Sequence, residues 1–318
     1  MLVPDKIGLG VYMVSEKTRP KCIILLSTKS SGSSALQRLV CKSPKVSHLP
    51  VTRHKQNETL YWVKAASLLE MSQVAMTDSE VPISVETANS DLKNLLESNL
   101  DKMPFFKSDS EMIYKGWCLL CEQHGPVLFE KSPHHLHQSS AINLILECVN
   151  RYPQIEFLIV GLVRNPMDTI YSRWYLDRTD PEKYQYEWMQ AYINLIKLRT
   201  QMDGRLSIIR YEDMVTNDTA LSDIYNFVDD VESYSRENQL HRKSIAKWKR
   251  DNTFGFQLNN EVINIAGQLG YQRHELANDT KSIWPLYKMI ATSSHSVVKA
   301  IRPIRRVLRQ FRHNLASD

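Results

Sequence analysis

A serine-rich loop with a single glycine follows the first long apolar run of the sequence. The apolar run covers residues 22–27, and the loop after it contains Lys29, Ser30, Ser31, Gly32, Ser33, Ser34 and Ala35. Serine hydroxyls and the free N–H groups of a helix N-terminus donate hydrogen bonds to anions, and glycine lets the backbone approach a ligand oxygen closely. The pattern predicts a phosphate-binding loop between a strand and a helix. A serine-capped turn without a ligand is the alternative.

A second candidate phosphate-binding element lies in the segment FLIVGLVRNPMDTIYSRW. Arg164 follows an apolar run, Pro166 suits the first turn of a helix, and Asp168 favours a helix start. Arg164 and Ser172 lie on either side of that turn, and both side chains can donate hydrogen bonds to a phosphate. Two phosphate sites after two different strands imply a ligand with two separated phosphates.

The first loop lacks the lysine of nucleoside-triphosphate-binding loops. In those loops the last glycine is followed by Lys and then by Ser or Thr. Here Gly32 is followed by Ser33 and Ser34. The difference argues against a nucleotide-dependent kinase, which is the alternative enzyme class for a strand, loop and helix of this kind.

The two motifs, in this order, resemble those of sulfotransferases that use 3′-phosphoadenosine 5′-phosphosulfate (PAPS). Three further segments are similar to the same family: LFEKSPHHL at 128–136 to the EKSP or EKTP segment of carbohydrate sulfotransferases, IIRYEDMV at 208–215 to a strand ending in YED, and HRKSIAKWKRD at 241–251 to a basic segment with Trp. The resemblance runs from about residue 21 to about residue 272. It implies a PAPS-dependent sulfotransferase with a P-loop-like fold.

The resemblance also implies which residues bind the sulfuryl donor. Loop 29–35 would hold the 5′-phosphosulfate, and Arg164 and Ser172 would hold the 3′-phosphate. The YED strand and the basic segment would complete the nucleotide site through Tyr211, Arg242, Lys243, Lys247 and Trp248. The alternative for the basic segment is an exposed amphipathic helix with Trp248 in the core.

The basic residue of the first loop departs from the family pattern. The family places Lys or Arg two residues before the loop glycine, where this chain has Ser30, and Lys29 lies one position earlier. Either Lys29 reaches the phosphosulfate through a shifted loop, or Lys131 of the EKSP segment supplies the charge. The alternative for Lys131 is a surface ion pair with Glu130.

Transfer to an acceptor requires in-line geometry, positive charge around the sulfuryl group, and a general base. Lys29 or Lys131 would supply the charge, so no metal is expected. The acceptor would be a hydroxyl or amine of a carbohydrate, glycolipid or small molecule. The candidate bases are Glu58, His54, His134 and His135, and related carbohydrate sulfotransferases carry a glutamate base at a comparable distance from the first loop. Structural roles are the alternatives for the histidines, and a helix-start acid is the alternative for Glu58.

Predicted strands and helices alternate along the chain and place these motifs at strand ends. Strands are predicted at residues 22–27, 126–130, 155–163 and 206–210, and helices at 33–41, 58–71, 110–121, 139–151, 167–176 and 184–201. This order is typical of a parallel sheet covered on both faces, so we predict a P-loop-like three-layer α/β/α fold that ends in C-terminal helices. The polar segment 72–103 is predicted to be irregular and exposed, with one short helix at 91–100 and a possible role as a substrate lid.

The composition fits one α/β domain in a reducing compartment. Of 318 residues, 42% are hydrophobic and 24% are charged, and the five cysteines show no paired framework. No signal sequence or membrane span is apparent, so a cytoplasmic location is expected. Cys118 and Cys121 form a CxxC without a second pair, which predicts two buried helix cysteines rather than a metal or redox site. We predict a sulfotransferase domain at residues 1–290 and a basic tail at 291–318.

The excess positive charge lies near the end of the sequence. Residues 295–318 contain six Lys and Arg residues and one acid, and the rest of the chain is balanced. Apolar residues recur there at spacings of three and four, which predicts an amphipathic helix with an arginine face. That helix could contact an anionic membrane peripherally or dock its apolar side on the domain, and a non-enzymatic binder of anionic surfaces is the alternative function. Nucleic acid is not an expected partner, because the charge elsewhere is balanced.

Overall fold

One sheet of five parallel strands forms the centre of the protein, whose computed structural model describes residues 19–54, 56–202, 204–217, 219–230, 242–279 and 284–293. In chain order the strands are β1 (Lys21–Ser27), β2 (Val46–Ser47), β3 (Val127–Lys131), β4 (Glu156–Val163) and β5 (Leu206–Arg210). Their order in the sheet is β2-β3-β1-β4-β5, and every neighbouring pair is parallel. Parallel neighbours need long crossover connections, and helices supply them.

The helices of the described residues lie in the crossovers and after the last strand. They are α1 (Ser33–Val40), α2 (Tyr61–Leu68), α3 (Val85–Asn99), α4 (Asp109–Gln123), α5 (Ser139–Arg151), α6 (Pro166–Asp177), α7 (Pro181–Arg199), α8 (Tyr211–Thr216), α9 (Ser222–Val228), α10 (Asn260–Gln268), α11 (Arg273–Leu276) and α12 (Trp284–Ser293). Short 3₁₀ turns occur at His135–His137, Arg242–Ser244 and Lys247–Arg250.

Alternate residues of the strands pack into two separate cores, one on each face of the sheet. In β1, Cys22, Ile24 and Leu26 join the core that contains α2, α3, α4, α5 and α7. Ile23 and Leu25 join the opposite core with α1, α8 and α9. Successive side chains of a strand point to opposite faces, so an entirely apolar strand must be covered twice. The predicted three-layer α/β/α fold is therefore confirmed.

The strand order creates a crevice between the carboxyl ends of β1 and β4. These strands are neighbours, and their pairing ends at Ser27 beside Leu162. The chain leaves β1 toward β2 and β3 on one side, whereas it leaves β4 toward β5 on the other. In open parallel sheets such a reversal point is where ligands bind. Both predicted phosphate-binding elements start at this point.

The prediction for residues 72–103 was wrong about its helix. Instead of a short helix at 91–100, α3 runs for 15 residues from Val85 to Asn99, and the Ser84 hydroxyl caps it by accepting from Thr87 N. One side of α3 is buried against α2 through Ala88, Leu92 and Leu96. The polar residues between these apolar positions weaken the helical pattern of the sequence, although the buried stripe is regular.

Two other element boundaries differ from the prediction. The helix predicted at 58–71 starts only at Tyr61, because Leu60 adopts a left-handed conformation with φ of 51°. The basic segment forms short 3₁₀ turns over Arg242–Ser244 and Lys247–Arg250 instead of a continuous helix, and His241 lies outside the described residues. The two-residue strand β2 was not predicted, since it is too short to leave a periodic signal.

All five cysteines are free, and Cys118 and Cys121 are buried on α4 as predicted. No helix in the described ranges is long and apolar enough to cross a membrane. The predicted amphipathic helix of the tail falls on residues outside those ranges. The proposed boundary at residue 290 stays a prediction.

Candidate active site

A cavity of about 550 Å³ lies at the carboxyl ends of β1 and β4. It brings together predicted residues from three separate parts of the sequence. Those that line it are Lys29, Ser30, Gly32, Ser33, Ser34, Ala35, His54, Glu58, Arg164 and Ser172. Sequence reasoning missed other lining residues, namely Arg38, Gln56, Pro133, Arg173 and Leu176. The two predicted phosphate-binding elements and two of the four candidate bases, His54 and Glu58, therefore share one cavity.

Gly32 adopts a conformation that no other residue would fit. Its φ is +97°, in the left-handed region that favours glycine, and a Cβ atom there would lie 2.4 Å from ring carbons of Tyr211. Ser33 and Ser34 open α1 and line the cavity, and the first N–H groups of a helix have no partner within the helix. Ser31 does not contribute its hydroxyl to the cavity, because the buried Ser31 Oγ donates to Thr28 O at 2.7 Å.

Arg164 links the two predicted phosphate-binding elements. Its guanidinium donates to Ser30 O and to Ser244 O, each at 2.8 Å, and lies 4.5 Å from the ring centre of Tyr211. The Tyr211 hydroxyl is 2.8 Å from Ser244 Oγ. Tyr211, which was predicted to contact the nucleotide, thus packs against Gly32 and Arg164. The buried Arg164 Nε has no hydrogen-bond partner among the described residues.

Helix α6 carries Ser172 into the cavity and holds the basic segment. Asn165 caps the helix by accepting from Met167 N at 2.9 Å. The Asp168 carboxylate accepts from Ala246 N at 2.9 Å and Lys247 N at 3.2 Å, and burial raises the Asp168 pKa. These contacts fix the basic segment beside the second phosphate-binding element.

The predicted residues of the basic segment do not all reach the site. Lys247 lines a second cavity of about 520 Å³, which shares Ser172 and Leu176 with the first. Arg242 and Lys243 lie exposed on a 3₁₀ turn. Trp248 is buried in an aromatic core and borders a different cavity, as in the alternative for this segment. The placement of Trp248 does not favour its predicted contact with the nucleotide.

Glu58 lines the cavity and forms an ion pair with Lys131, which is not one of the lining residues. Lys131 Nζ lies 3.0 Å from Glu58 Oε1 and 3.5 Å from Ser34 Oγ, and its side chain is fully buried. The alternative pairing of Lys131 with Glu130 was therefore wrong. Successive side chains of a strand point to opposite faces of the sheet, so the side chains of Lys131 and Glu130 point away from each other.

Glu130 instead anchors the loop that carries Glu58. Its carboxylate accepts from Thr59 Oγ1 at 2.9 Å and Ser132 Oγ at 2.7 Å, and it lies 3.1 Å from His135 Nε2. Ser132 Oγ in turn accepts from Thr59 N and Leu60 N. Although burial opposes ionisation, contact with His135 and these hydrogen bonds keep the Glu130 pKa below its usual value.

Of the four candidate bases, the structure brings only Glu58 and His54 to the cavity. Their backbones form an isolated antiparallel bridge, and His54 Nε2 lies 2.9 Å from Glu80 Oε1, without the angle of a good hydrogen bond. His135 is buried against Glu130. Burial and the charge of Lys29 lower the His134 pKa to about 2, so its ring accepts protons poorly.

Lys29 lines the cavity but is held by a neighbouring loop. Its Nζ donates to Asp78 O at 2.8 Å and to Thr77 O at 3.4 Å. Burial, with the nearby Arg173 charge, lowers the Lys29 pKa to about 8. Arg173 pairs with Asp177 at 2.7 Å and with Asp78 at 3.3 Å. The loop at 77–80 therefore contacts Lys29 through its carbonyls and His54 through Glu80.

The described residues contain no group of three or more His, Cys, Asp or Glu side chains placed to hold a metal ion. The chemistry available in the cavity is that of hydroxyls, backbone amides, cationic side chains and the Glu58 carboxylate. Such a set can bind a multiply charged anion and accept a proton from a neighbouring hydroxyl.

The chain is similar in fold to a solved sulfotransferase domain. The sulfotransferase domain of the olefin synthase from Synechococcus PCC 7002 shares the fold, with a TM-score of 0.52 and 18% identity over 81% of this chain and 97% of that domain. A sulfotransferase from Alicyclobacillus acidocaldarius gives a TM-score of 0.44 and 10% identity over 79% of this chain and 96% of that protein. No curated protein matches the sequence.

The sequence itself matches the sulfotransferase family over residues 20–253. That range is well over half of the chain and includes both phosphate-binding elements and the Glu58–Lys131 pair. The resemblance noted from the motifs is confirmed. The chain therefore belongs to the sulfotransferase family.

Proposed function

We propose that the protein transfers the sulfuryl group of PAPS to a hydroxyl or amine of a carbohydrate, glycolipid or small-molecule acceptor. The observation that carries this proposal is the single cavity at the ends of β1 and β4. It joins a serine-rich loop and Arg164 with Glu58, whose carboxylate is paired with Lys131. Membership of the sulfotransferase family supports the reaction class.

The residues of the cavity suit a donor with two separated phosphates. The start of α1 offers backbone amides and the Ser33 and Ser34 hydroxyls to a 5′-phosphosulfate. Arg164 and Ser172, which both line the cavity, would hold a 3′-phosphate. Lys247 beside Ser172 adds positive charge to the same end.

The acceptor side of the cavity suits a hydroxylated molecule. His54, Gln56 and Glu58 face it, and all three form hydrogen bonds readily. The acceptor oxygen would attack sulfur while Glu58 takes its proton. The bond between sulfur and the bridging oxygen breaks, and adenosine 3′,5′-bisphosphate leaves with that oxygen. Lys131, next to Glu58 and Ser34, would stabilise the charge that builds up on the transferred group.

A thermal-unfolding titration tests the donor assignment. Adenosine 3′,5′-bisphosphate at about 100 times its Kd stabilises a folded protein by about 2.7 kcal/mol, which we expect to raise Tm by about 5 °C or more. ATP with magnesium should give a much smaller shift. Arg164→Ala should abolish the shift, whereas Arg205→Ala, an exposed control before β5, should retain it. No shift at near-millimolar bisphosphate with the folded wild type would refute the proposal.

A further inference from the structure

Helix α12 exposes aliphatic side chains on one side. Leu286, Met289 and Ile290 are 56%, 61% and 60% exposed, and they recur at spacings of three and four along the helix. Residues at these spacings lie on the same side of an α-helix. Single exposed apolar residues are ordinary, but three adjacent ones on one short helix form a patch.

The opposite side of α12 is fixed to the protein by aromatic contacts. The ring centre of Trp284 lies 5.1 Å from those of Trp174 and Phe254, and that of Tyr287 lies 6.2 Å from Trp174. Lys288 Nζ also lies 3.0 Å from Asp180 Oδ1. Rotation of the helix to bury Leu286 and Ile290 would break these contacts. The outward direction of the aliphatic side is therefore set by the fold.

Exposed apolar side chains also occur on the helix against which α12 packs. Tyr175 and Leu176 follow Trp174 on α6 and are 64% and 46% exposed. Both border the second cavity. The exposed apolar side chains of α6 and α12 therefore flank the same buried aromatic core.

The sequence that follows α12 is strongly basic. Residues 295–318 carry six Lys and Arg residues and a single acid, Asp318. The aliphatic side of α12 is thus joined covalently, within a few residues, to a dense positive charge. Two copies of the chain associating through α12 would bring these like charges together, which opposes association. An anionic bilayer satisfies both features, because its acyl boundary accepts aliphatic side chains and its headgroups attract arginine.

We propose that α12 and the basic segment after it bind the surface of membranes that contain anionic lipids. Leu286 and Ile290 would enter the headgroup and acyl boundary, and the basic residues would neutralise lipid phosphates and carboxylates. The interaction is peripheral and weakens as salt screens the charges. It is independent of the reaction proposed above.

Vesicle sedimentation with the full chain tests this proposal. We expect the wild type to bind phosphatidylcholine vesicles that contain phosphatidylserine, and to bind pure phosphatidylcholine vesicles much more weakly. A triple variant with Leu286→Ser, Met289→Ser and Ile290→Ser should bind these vesicles about tenfold or more weakly than the wild type, because each apolar contact with lipid is lost. The matched control has serine at Val51, Val74 and Phe105, which are also exposed apolar residues, and should bind like the wild type.

Removal of residues 295–318 should abolish the preference for phosphatidylserine. Thermal melts followed by circular dichroism should show that all variants unfold like the wild type. Loss of binding is then distinguished from loss of folding. Equal binding by the α12 variant and the wild type would overturn the proposal. A wild-type dimer in solution that the α12 variant converts to a monomer would also overturn it, because the patch would then be a self-association surface.

Discussion

Lys29 is the cation of the first loop, and its environment makes it sensitive to pH. Its ammonium group is buried beside Arg173 and donates to the carbonyls of Thr77 and Asp78. Desolvation by burial, together with the charge of Arg173, lowers its pKa to about 8, although the carboxylates of Glu187, Asp78 and Glu58 act in the opposite direction. A bound anion would favour the charged form and raise that pKa.

This linkage predicts how donor affinity depends on pH. Affinity for adenosine 3′,5′-bisphosphate should be greatest below about pH 8, where free Lys29 is protonated. It should fall as pH rises through about 8 and level off above the pKa of the complex. Calorimetric titration measures this profile. Lys29→Arg stays charged and should flatten the decline, so identical profiles for wild type and Lys29→Arg would contradict the prediction.

A change at Glu58 should lower turnover without lowering the affinity for the bisphosphate. Glu58→Gln keeps the size of the side chain but removes the proton acceptor, so turnover should fall by about 10²- to 10⁴-fold. Binding of the bisphosphate should persist, because Glu58 is not among the groups proposed to hold it. Release of bisphosphate from PAPS with an acceptor measures the first quantity, and thermal shift measures the second. Wild-type turnover in Glu58→Gln would exclude Glu58 as the base.

At the scale of elements, the turn from β1 into α1 depends on Gly32. Gly32→Ala would place a methyl group against the Tyr211 ring, 2.4 Å from its carbons, in a left-handed conformation. We expect the loop to move and bisphosphate binding to be lost. Gly204→Ala is the matched control, since Gly204 also has positive φ but nothing within 4 Å of a Cβ.

Gly204→Ala should lower the free energy of unfolding only by the strain of the left-handed conformation, about 1–2 kcal/mol. Chemical denaturation measures that cost for both variants, and calorimetry measures their binding. If Gly32→Ala bound the bisphosphate as Gly204→Ala does, the close approach of the loop to Tyr211 would not be needed for the site.

Elements were predictable from the sequence where their pattern was uniform. β1 and β4 are continuous apolar runs, and α5 was predicted with its observed ends at Ser139 and Arg151. α3 was underestimated, because its buried stripe is diluted by polar residues. The alternative of one amphipathic helix for the basic segment was wrong, because the left-handed Ala246 at φ 51° separates two short 3₁₀ turns.

The site was predictable where function depends on a local motif and unpredictable where it depends on tertiary contacts. Arg164, Ser172 and the serine loop follow from short patterns. In contrast, Arg173 and Glu80 reach the site through partners that are distant in sequence, such as Asp78 for Arg173. The Glu58–Lys131 pair likewise joins two segments 73 residues apart, so no local signal could reveal it.

At the scale of the whole molecule, the fold extends beyond the family match. The match ends at residue 253, yet five buried apolar residues after it belong to the largest core: Val262, Ala266, Leu269, Tyr271 and Leu276. The Tyr271 hydroxyl also donates to Glu212, whose other carboxylate oxygen accepts from Asn165 N at the start of α6. The helices after residue 253 therefore support the second phosphate-binding element.

This dependence predicts the effect of truncation. A chain that ends at residue 253 should lose cooperative unfolding, because burial of each larger side chain contributes about 1.5–3 kcal/mol. A chain that ends at residue 293 retains α10–α12 and should unfold cooperatively. Thermal melts followed by circular dichroism distinguish the two. A cooperative melt of the shorter chain would show that these helices are dispensable.

The loop at 77–80 contacts both Lys29 of the first phosphate-binding loop and His54 on the acceptor side of the cavity. Thr77 N donates to Glu187 at 2.7 Å, the carbonyls of Thr77 and Asp78 hold Lys29, and Glu80 lies against His54. A nucleotide that draws Lys29 toward its 5′-phosphate takes away the ammonium to which these carbonyls are hydrogen-bonded. Amide hydrogen exchange at 77–80 should therefore become faster when the bisphosphate binds. Binding of the donor would in this way change the loop that contacts His54, on the side of the cavity where the acceptor enters.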